Sequence, residues 1–411
     1  MLETARLTRV RAAVEKLEPE LIAFRRDLHR HPELGWAEIR TTRKLVERLE
    51  AAGLQPEVMP RGTGVICDVG ATATRRPTVG LRGDMDALPV QDETEGDYRS
   101  EIDGVCHACG HDAHTTSVLG AGLALAALAA DGLQIEPVRL IFQSAEEQMP
   151  CGAVEVIRHG YIDGLDRLYA LHCDPKIVTG QFGFRVGAIT AAATRLRIEI
   201  EGPGGHTARP HLGADLVFAF GEVLSRLPGM LSRRYDPRAV LSLVWGQIHA
   251  GAAANAMPSS GFAEGTLRTL DVHTWMALTH DVPEMIESIL APLGVKADIE
   301  LDDGSPPCVN DAAVIDELRG VAIGAFGRAS ATDTDQSMGG EDFSWMLQRR
   351  PGALVRLGVR PATQATAPDL HQGRFDIDEH AIGIGTLFLT LAAQSPGRHD
   401  RGANVLRQDH Q

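Results

Sequence analysis

Several short segments concentrate side chains able to hold a metal ion or move a proton. The densest is His107-Ala108-Cys109-Gly110-His111-Asp112-Ala113-His114, with four His or Cys in eight residues. Thiolate and imidazole are good ligands for zinc and neighbouring transition metals, and Cys109 and His111 bracket one flexible glycine. His111 and His114 lie three apart and fit one helix face equally well, so spacing alone leaves the choice between them open. Arg82-Gly83-Asp84-Met85-Asp86, Gln143-Ser144-Ala145-Glu146-Glu147, His172 and the loop segment Asp369-Leu370-His371 add further acids and histidines. Singly, each has a plainer reading: a helix-capping aspartate, a solvated glutamate, a satisfied core histidine, an inert thiol. Jointly they point to a site.

Counting donors narrows the chemistry. Cys109, His111, Glu147, His172 and His371 are five groups, too many for one catalytic zinc, which usually keeps three protein ligands and an open position. If one of them bridges, two metal ions each receive three protein ligands, an arrangement that activates a water and clamps a tetrahedral intermediate. The pair Glu146-Glu147 suits a division of labour in which one carboxylate binds metal and its neighbour moves a proton.

The elements that must position these groups alternate. Residues 64–69, 78–81, 138–142 and 168–171 are short buried-type strands, and helical patterns cover residues 20–30, 36–50 and 114–130. The acids and His172 follow strand ends, and in open α/β sheets those carboxyl ends converge on the ligand crevice. The pattern predicts an α/β domain with a largely parallel sheet covered by helices. Between residues 191 and 303 it changes to strand (195–201), helix (212–231), strand (240–249), strand (261–268), helix (273–290) and strand (296–301). That βαββαβ order is the ferredoxin-like split motif. The α/β style then returns, with Asn310 expected to cap a helix to residue 326, a strand at 353–359 and a helix at 379–393. Residues 1–190 and 304–411 thus form one domain, into which residues 191–303 are inserted. Glycine- and proline-rich junctions at residues 186–189 and 303–307 are the expected hinges, and the polar tail after Ser395 is expected to fray.

Composition excludes several classes. Forty Lys and Arg against 55 Asp and Glu leave a formal charge of −15. No basic patch offsets it, which disfavours nucleic acid as a partner. The longest apolar run, residues 118–130, is shorter than the roughly 20 residues a membrane span needs. Residues 1–10 lack the apolar core of a secretory leader. The six cysteines (67, 106, 109, 151, 173, 308) show no disulfide-scaffold spacing, so a reducing, cytoplasmic setting is expected.

At these residues the chain resembles the dinuclear metal-dependent amidohydrolases that include hippurate hydrolase, bacterial N-acyl-amino-acid amidohydrolases and plant auxin-conjugate hydrolases. They sit within a wider aminoacylase and carboxypeptidase G-type superfamily. The likeness covers nearly the whole chain. It includes Leu28-His29 with Pro32-Glu33-Leu34, Arg82 to Pro89, His107 to His114, Ala145-Glu146-Glu147, Leu171-His172 and Gly204-Gly205-His206-Thr207. It continues through Asn255 near Pro258, Gly265-Thr266-Leu267-Arg268, Gly339-Gly340-Glu341-Asp342-Phe343 and Leu370-His371. The ordered set is specific, although most pieces are weak alone. Two local departures are Ser144, where many relatives have Pro, and Gly83, where many have Ala.

The resemblance implies that Cys109, His111, Glu147, His172 and His371 hold two divalent ions (Zn, Mn, Co or Ni), which selects His111 over His114. It implies Glu146 as general base and Asp86 as an orienting residue. Asp84 stands where the superfamily often has a ligand histidine and is not assumed to be one. Asn255 and Arg268 match substrate-holding lid residues; a guanidinium fork suits a carboxylate. His206 matches a histidine that reaches the partner subunit's site in a homodimer built through the inserted domain. The implied reaction is hydrolysis of the amide of a small N-acyl amino acid. A dipeptidase or carboxypeptidase shares every metal residue and is the alternative. A non-catalytic metal-dependent binding protein is a more distant one, because Glu146 and all five donors are present.

Overall fold

The computed structural model describes residues 4–395; the polar tail after Ser395 lies outside them. Helices Thr4–Arg30 (α1) and Ile39–Ala51 (α2) precede strands Glu57–Val58 (β1), Val65–Val69 (β2) and Val79–Asp84 (β3). Helix His111–Ala130 (α3), strand Val138–Gln143 (β4), helix Gly152–Arg158 (α4) and strands Arg167–Val178 (β5), Phe182–Phe184 (β6) and Gly187–Thr190 (β7) follow. Next come Ala192–Glu201 (β8), Gly205–His206 (β9), Leu216–Arg234 (α5), Ser242–Ala250 (β10), Ala256–Met257 (β11), Ser260–Thr269 (β12), Val272–Leu290 (α6) and Lys296–Ser305 (β13). Cys308–Asn310 (β14), Ala312–Phe326 (α7), Ala331–Asp333 (β15), Phe343–Leu347 (α8), Gly352–Arg360 (β16) and His380–Ala393 (α9) complete the order.

The main sheet has eight strands in the order β1-β2-β4-β3-β5-β16-β6-β15. Its central strands β4, β3, β5 and β16 run parallel, and antiparallel pairs flank them. Those central strands are buried on both faces, which explains why they read as near-continuous apolar runs. On one face α1, α3 and α9 pack together. Helix α3 is apolar all round because nearly every side of it is covered. Its glycines permit the close approach: a Cβ on Gly122 would lie 2.3 Å from Leu140, and one on Gly120 would meet Leu21 and Thr386. Among the described residues α3 is the one helix long and apolar enough to cross a membrane, and most of it is buried in this core. On the other face Ile141, Val156, Leu168, Phe343 and Leu354 form a smaller core.

The expected βαββαβ unit is a four-stranded antiparallel sheet, order β10-β12-β8-β13, with α5 and α6 on one side. It has its own core around Leu196, Phe220, Leu267 and Ile286. Where the chain enters and leaves it, β7 and β14 pair antiparallel.

Several boundaries differ from expectation, among them β5, which runs on past residue 171 to Val178. Helix α1 starts at Thr4 and carries Pro19 inside it, because Val10 and Val14 reach the main core and secure the earlier turns. Helix α2 starts at Ile39, since Trp36 has φ +65° and cannot lie inside a right-handed helix. The helix expected from 212 begins at Leu216, where the Asp215 carboxylate accepts from Phe218 N–H. Asp311, not Asn310, caps α7 by accepting from Val314 N–H. Asn310 instead donates to Leu354 O and accepts from Leu354 N–H, tying β14 to the main sheet.

Candidate active site

The parallel strands end on one cavity of about 990 Å³, lined by Cys109, Glu146, Glu147, His172 and His371. Arg268 of β12 reaches it from the smaller sheet, and its guanidinium donates to Met338 O across the gap. Cys109 and His111 sit at the N-terminus of α3, which opens on Gly110 at φ +83°. A side chain there would also strike Cys173, whose Sγ lies 2.9 Å from the ideal Cβ position. Glycine is therefore required twice over.

Donor atoms of Cys109, His111 and His172 lie within 4.8 Å of one another, and so do those of Cys109, Glu147 and His371. Cys109 belongs to both groups, the position expected of a bridging ligand. Hydrogen bonds at the far side of each ring favour metal binding. His111 Nδ1 lies 3.2 Å from Asp86 Oδ1, and its Nε2 is buried without a hydrogen-bond partner. His172 Nδ1 donates to Cys173 O at 2.8 Å, which leaves Nε2 to face Cys109 Sγ at 3.6 Å. Fixing one ring nitrogen so that the other presents its lone pair is how proteins orient ligand histidines. Cys109 and then Glu147 push the His371 imidazole up to about 10. A bound cation would draw on the same thiol and carboxylate donors, so the residue set fits a metal centre.

His114 is held differently. Its Nδ1 is 2.7 Å from Asp84 Oδ1, and its Nε2 accepts from Cys173 N–H at 2.8 Å. Both ring nitrogens are committed. Asp84 is committed too, since Arg82 Nη1 donates to its second oxygen at 2.5 Å. Of the two sequence departures, Ser144 is buried with an unpaired hydroxyl, while a Cβ on Gly83 would lie 3.1 Å from the backbone of α3 at His114 and Thr115.

Glu146 stands beside this cluster with no part in either Cys109 group. Burial first, then the neighbouring carboxylates of Glu341, Glu147 and Asp342, push its pKa well up. A cation beside Glu147 acts in the opposite sense. Its Oε1 accepts from Asp342 N–H at 3.3 Å.

Two buried carboxylates hold the backbone of this turn. Asp86 Oδ1 accepts from Glu146 N–H at 3.0 Å and Oδ2 from Glu147 N–H at 2.9 Å. Glu38 Oε1 accepts from Ala145 N–H at 2.7 Å, where the backbone has φ +50°. Sequence reasoning found Asp86 but missed Glu38. A lone glutamate just before a helix looks solvated, and only its complete burial tells otherwise. Burial first, then Asp86, lifts its pKa to about 8, which favours the neutral form at pH 7. Glu38→Ala leaves the Ala145 amide unpaired, which costs about 1–3 kcal/mol of stability. It should lower kcat roughly tenfold without lowering metal content, because the base loses its fixed position. Glu38→Gln keeps an acceptor oxygen and should stay within about threefold of wild type at pH 7. Equal loss in both variants would show that the acceptor is not what matters.

The acidic turn Glu341-Asp342 was quoted in the resemblance without a role. Here the fully buried Arg82 binds Glu341 at 3.0 Å and Asp342 at 2.7 Å, and Gln143 Nε2 donates to both Asp342 oxygens. This network joins β3, β4 and the 340s loop under Glu146.

His206 and Asn255 are not among the cavity-lining residues. β9 pairs with β11 so that His206 stands opposite Ala256, and both His206 and Asn255 are exposed. The His206 Nδ1 accepts from Ala208 N–H at 3.1 Å.

The profile of peptidase family M20/M25/M40 matches residues 80–393. An N-acetyl-L-cysteine deacetylase of Bacillus subtilis is 36% identical over 92% of this chain and 88% of its own length. Thermostable carboxypeptidase 1 of Saccharolobus solfataricus is 32% identical over 92% of this chain and 96% of its own. A Rhodococcus jostii protein that carries a glutamate–cysteine ligase name is 42% identical over 90% of this chain, which spans only 46% of that protein. Among solved structures, a dinuclear metal-binding peptidase of Bacillus subtilis superposes with a TM-score of 0.78 at 28% identity, covering 92% of this chain and 98% of that one.

Proposed function

This chain belongs to peptidase family M20/M25/M40, a family that includes amide-bond hydrolases with two-metal sites, and on that premise we propose that it hydrolyses N-acyl amino acids to a carboxylic acid and an amino acid. The carrying observation is Glu146, a carboxylate outside the two donor groups that share Cys109, on the cavity those donors line. Cys109, His111, Glu147, His172 and His371 would hold two divalent transition-metal ions. Such ions polarise the amide carbonyl and lower the pKa of water. Asp86 fixes His111 and the Glu146-Glu147 backbone in register. Glu146 takes a proton from the attacking water and delivers it to the leaving amine. Arg268 receives the substrate's α-carboxylate through its guanidinium fork.

The reading extends to assembly. Residues 191–303 act as lid and dimerisation domain, with His206 and Asn255 completing the partner's site and His206 donating to the developing oxyanion. Both lie outside this chain's own cavity lining, which supports the idea, and so do the exposed apolar residues of edge strand β10, Val244 and Ile248. Mixing inactive His206→Ala chains with inactive Glu146→Gln chains should restore part of the activity, because one site in each mixed dimer regains both groups. A tagged pull-down verifies subunit exchange. Mixed dimers without recovered activity would end the cross-subunit assignment. We place the enzyme in the cytoplasm, consistent with six unpaired, buried cysteines.

A second reading, carboxypeptidase or dipeptidase, is favoured by the carboxypeptidase relative. Assays of N-acyl amino acids against dipeptides, after reconstitution with Zn, Mn, Co or Ni, separate the two. Turnover of dipeptides alone would replace the first reading by the second.

A further inference from the structure

Three arginines are almost wholly buried, and two of them are ion-paired with carboxylates. Arg25 contacts Asp112 at 2.7 Å and Asp376 at 3.0 Å, while Arg82 is surrounded by Asp84, Glu341 and Asp342. The third, Arg356, is 7% exposed, and its guanidinium has no hydrogen bond or ion pair with any described residue. Its nitrogens still face the cavity, and a guanidinium held there at the end of a buried strand without a counter-charge keeps its donors free for a ligand.

Its placement indicates that use. Arg356 lies on β16 opposite His172 of β5 in the parallel register. Side chains alternate along a strand, so Val355 and Leu357 enter the large core while Leu354 enters the core on the opposite face. Arg356 shares the Leu354 face, one step further toward the site, and lines the same cavity as Cys109 and His172. Thr190, 3% exposed, lines this cavity as well, and its hydroxyl is buried without a partner. Two acids of the cavity wall are engaged elsewhere. Glu341 binds Arg82 and Phe343 N–H, and Glu147 contacts His371 at 3.1 Å.

We infer that Arg356 is a specificity-determining residue that binds a second carboxylate of the substrate, in addition to the α-carboxylate assigned to Arg268. The inference rests on the N-acyl amino acid reading and narrows it to dianionic substrates. The planar fork of arginine matches a carboxylate bidentately, and the Thr190 hydroxyl supplies one further donor at the cavity wall. Two guanidinium positions, one on each sheet, then bracket the metal-ligand cluster. The second carboxylate has two possible sources, an acidic side chain on the amino acid or a dicarboxylic acyl group.

Two matched pairs distinguish those sources: N-acetyl-L-glutamate against N-acetyl-L-glutamine, and N-succinyl-L-alanine against its terminal amide. Each pair differs by one charge at nearly constant shape. The metal-loaded wild type should prefer the acidic member of one pair by about 10- to 100-fold in kcat/KM, the worth of a charge-assisted hydrogen bond. Arg356→Met should erase that preference while changing the neutral member by less than about threefold, and Arg356→Lys should retain part of it. No preference in either pair, or an equal loss on both members, overturns the assignment. If none of the four compounds is hydrolysed, the proposed function itself fails. Calorimetric binding of the two dianions to wild type and Arg356→Met then decides the anion site alone. Binding at least tenfold tighter to wild type upholds it, and equal or absent binding overturns it.

Discussion

Glu146→Gln should keep its metals and its fold yet lose at least about 100-fold in kcat, the usual effect of removing a general base. The amide is nearly isosteric with the carboxylate, and its oxygen can still accept from Asp342 N–H as Glu146 Oε1 does. The backbone amide of residue 146 remains tied to Asp86. Only proton transfer is lost. Elemental analysis and a thermal melt control for metal content and folding, while kcat measured at saturating substrate reads the chemistry. Unchanged turnover would put the base elsewhere, with Glu341 and Asp342 the next carboxylates on the cavity.

Metal depletion should abolish activity altogether, and restoring Zn, Mn, Co or Ni should recover it. Protein purified without chelator should carry up to two transition-metal ions per chain, as in the dinuclear relative. Cys109→Ala is the sharpest single test, because its thiolate belongs to both donor groups and its loss damages both sites. His114→Gln should leave stoichiometry unchanged, since Asp84 and the Cys173 amide already occupy both nitrogens of that ring. A metal content of zero under saturating ion would end the dinuclear reading. Loss of metal in the His114 variant with retention in the Cys109 variant would reverse the ligand assignment.

What the sequence determined by itself follows from short-range rules. Buried parallel strands are continuous apolar runs, helices repeat every 3.6 residues, and acids and histidines after strand ends mark the crevice of an open sheet. The two-sheet architecture, the βαββαβ unit and the seven residues Asp86, Cys109, His111, Glu146, Glu147, His172 and His371 were legible on those grounds together with the family pattern. Spacing could not choose between His111 and His114, because both lie on the first turn of α3. The choice depends on partners 30 and 59 residues from His114, Asp84 and Cys173, that only the assembled sheet brings to its ring. Glu38 and Arg356 were invisible for a related reason. A charged residue in an apolar or helix-start context reads as solvated, and whether it is buried, paired or left with free donors depends on chain segments far away in sequence. For Glu38 the decisive partner is the Ala145 amide, 107 residues on. For Arg356 it is the register that sets it opposite His172 on the cavity wall, while Glu341 on that wall is committed to Arg82.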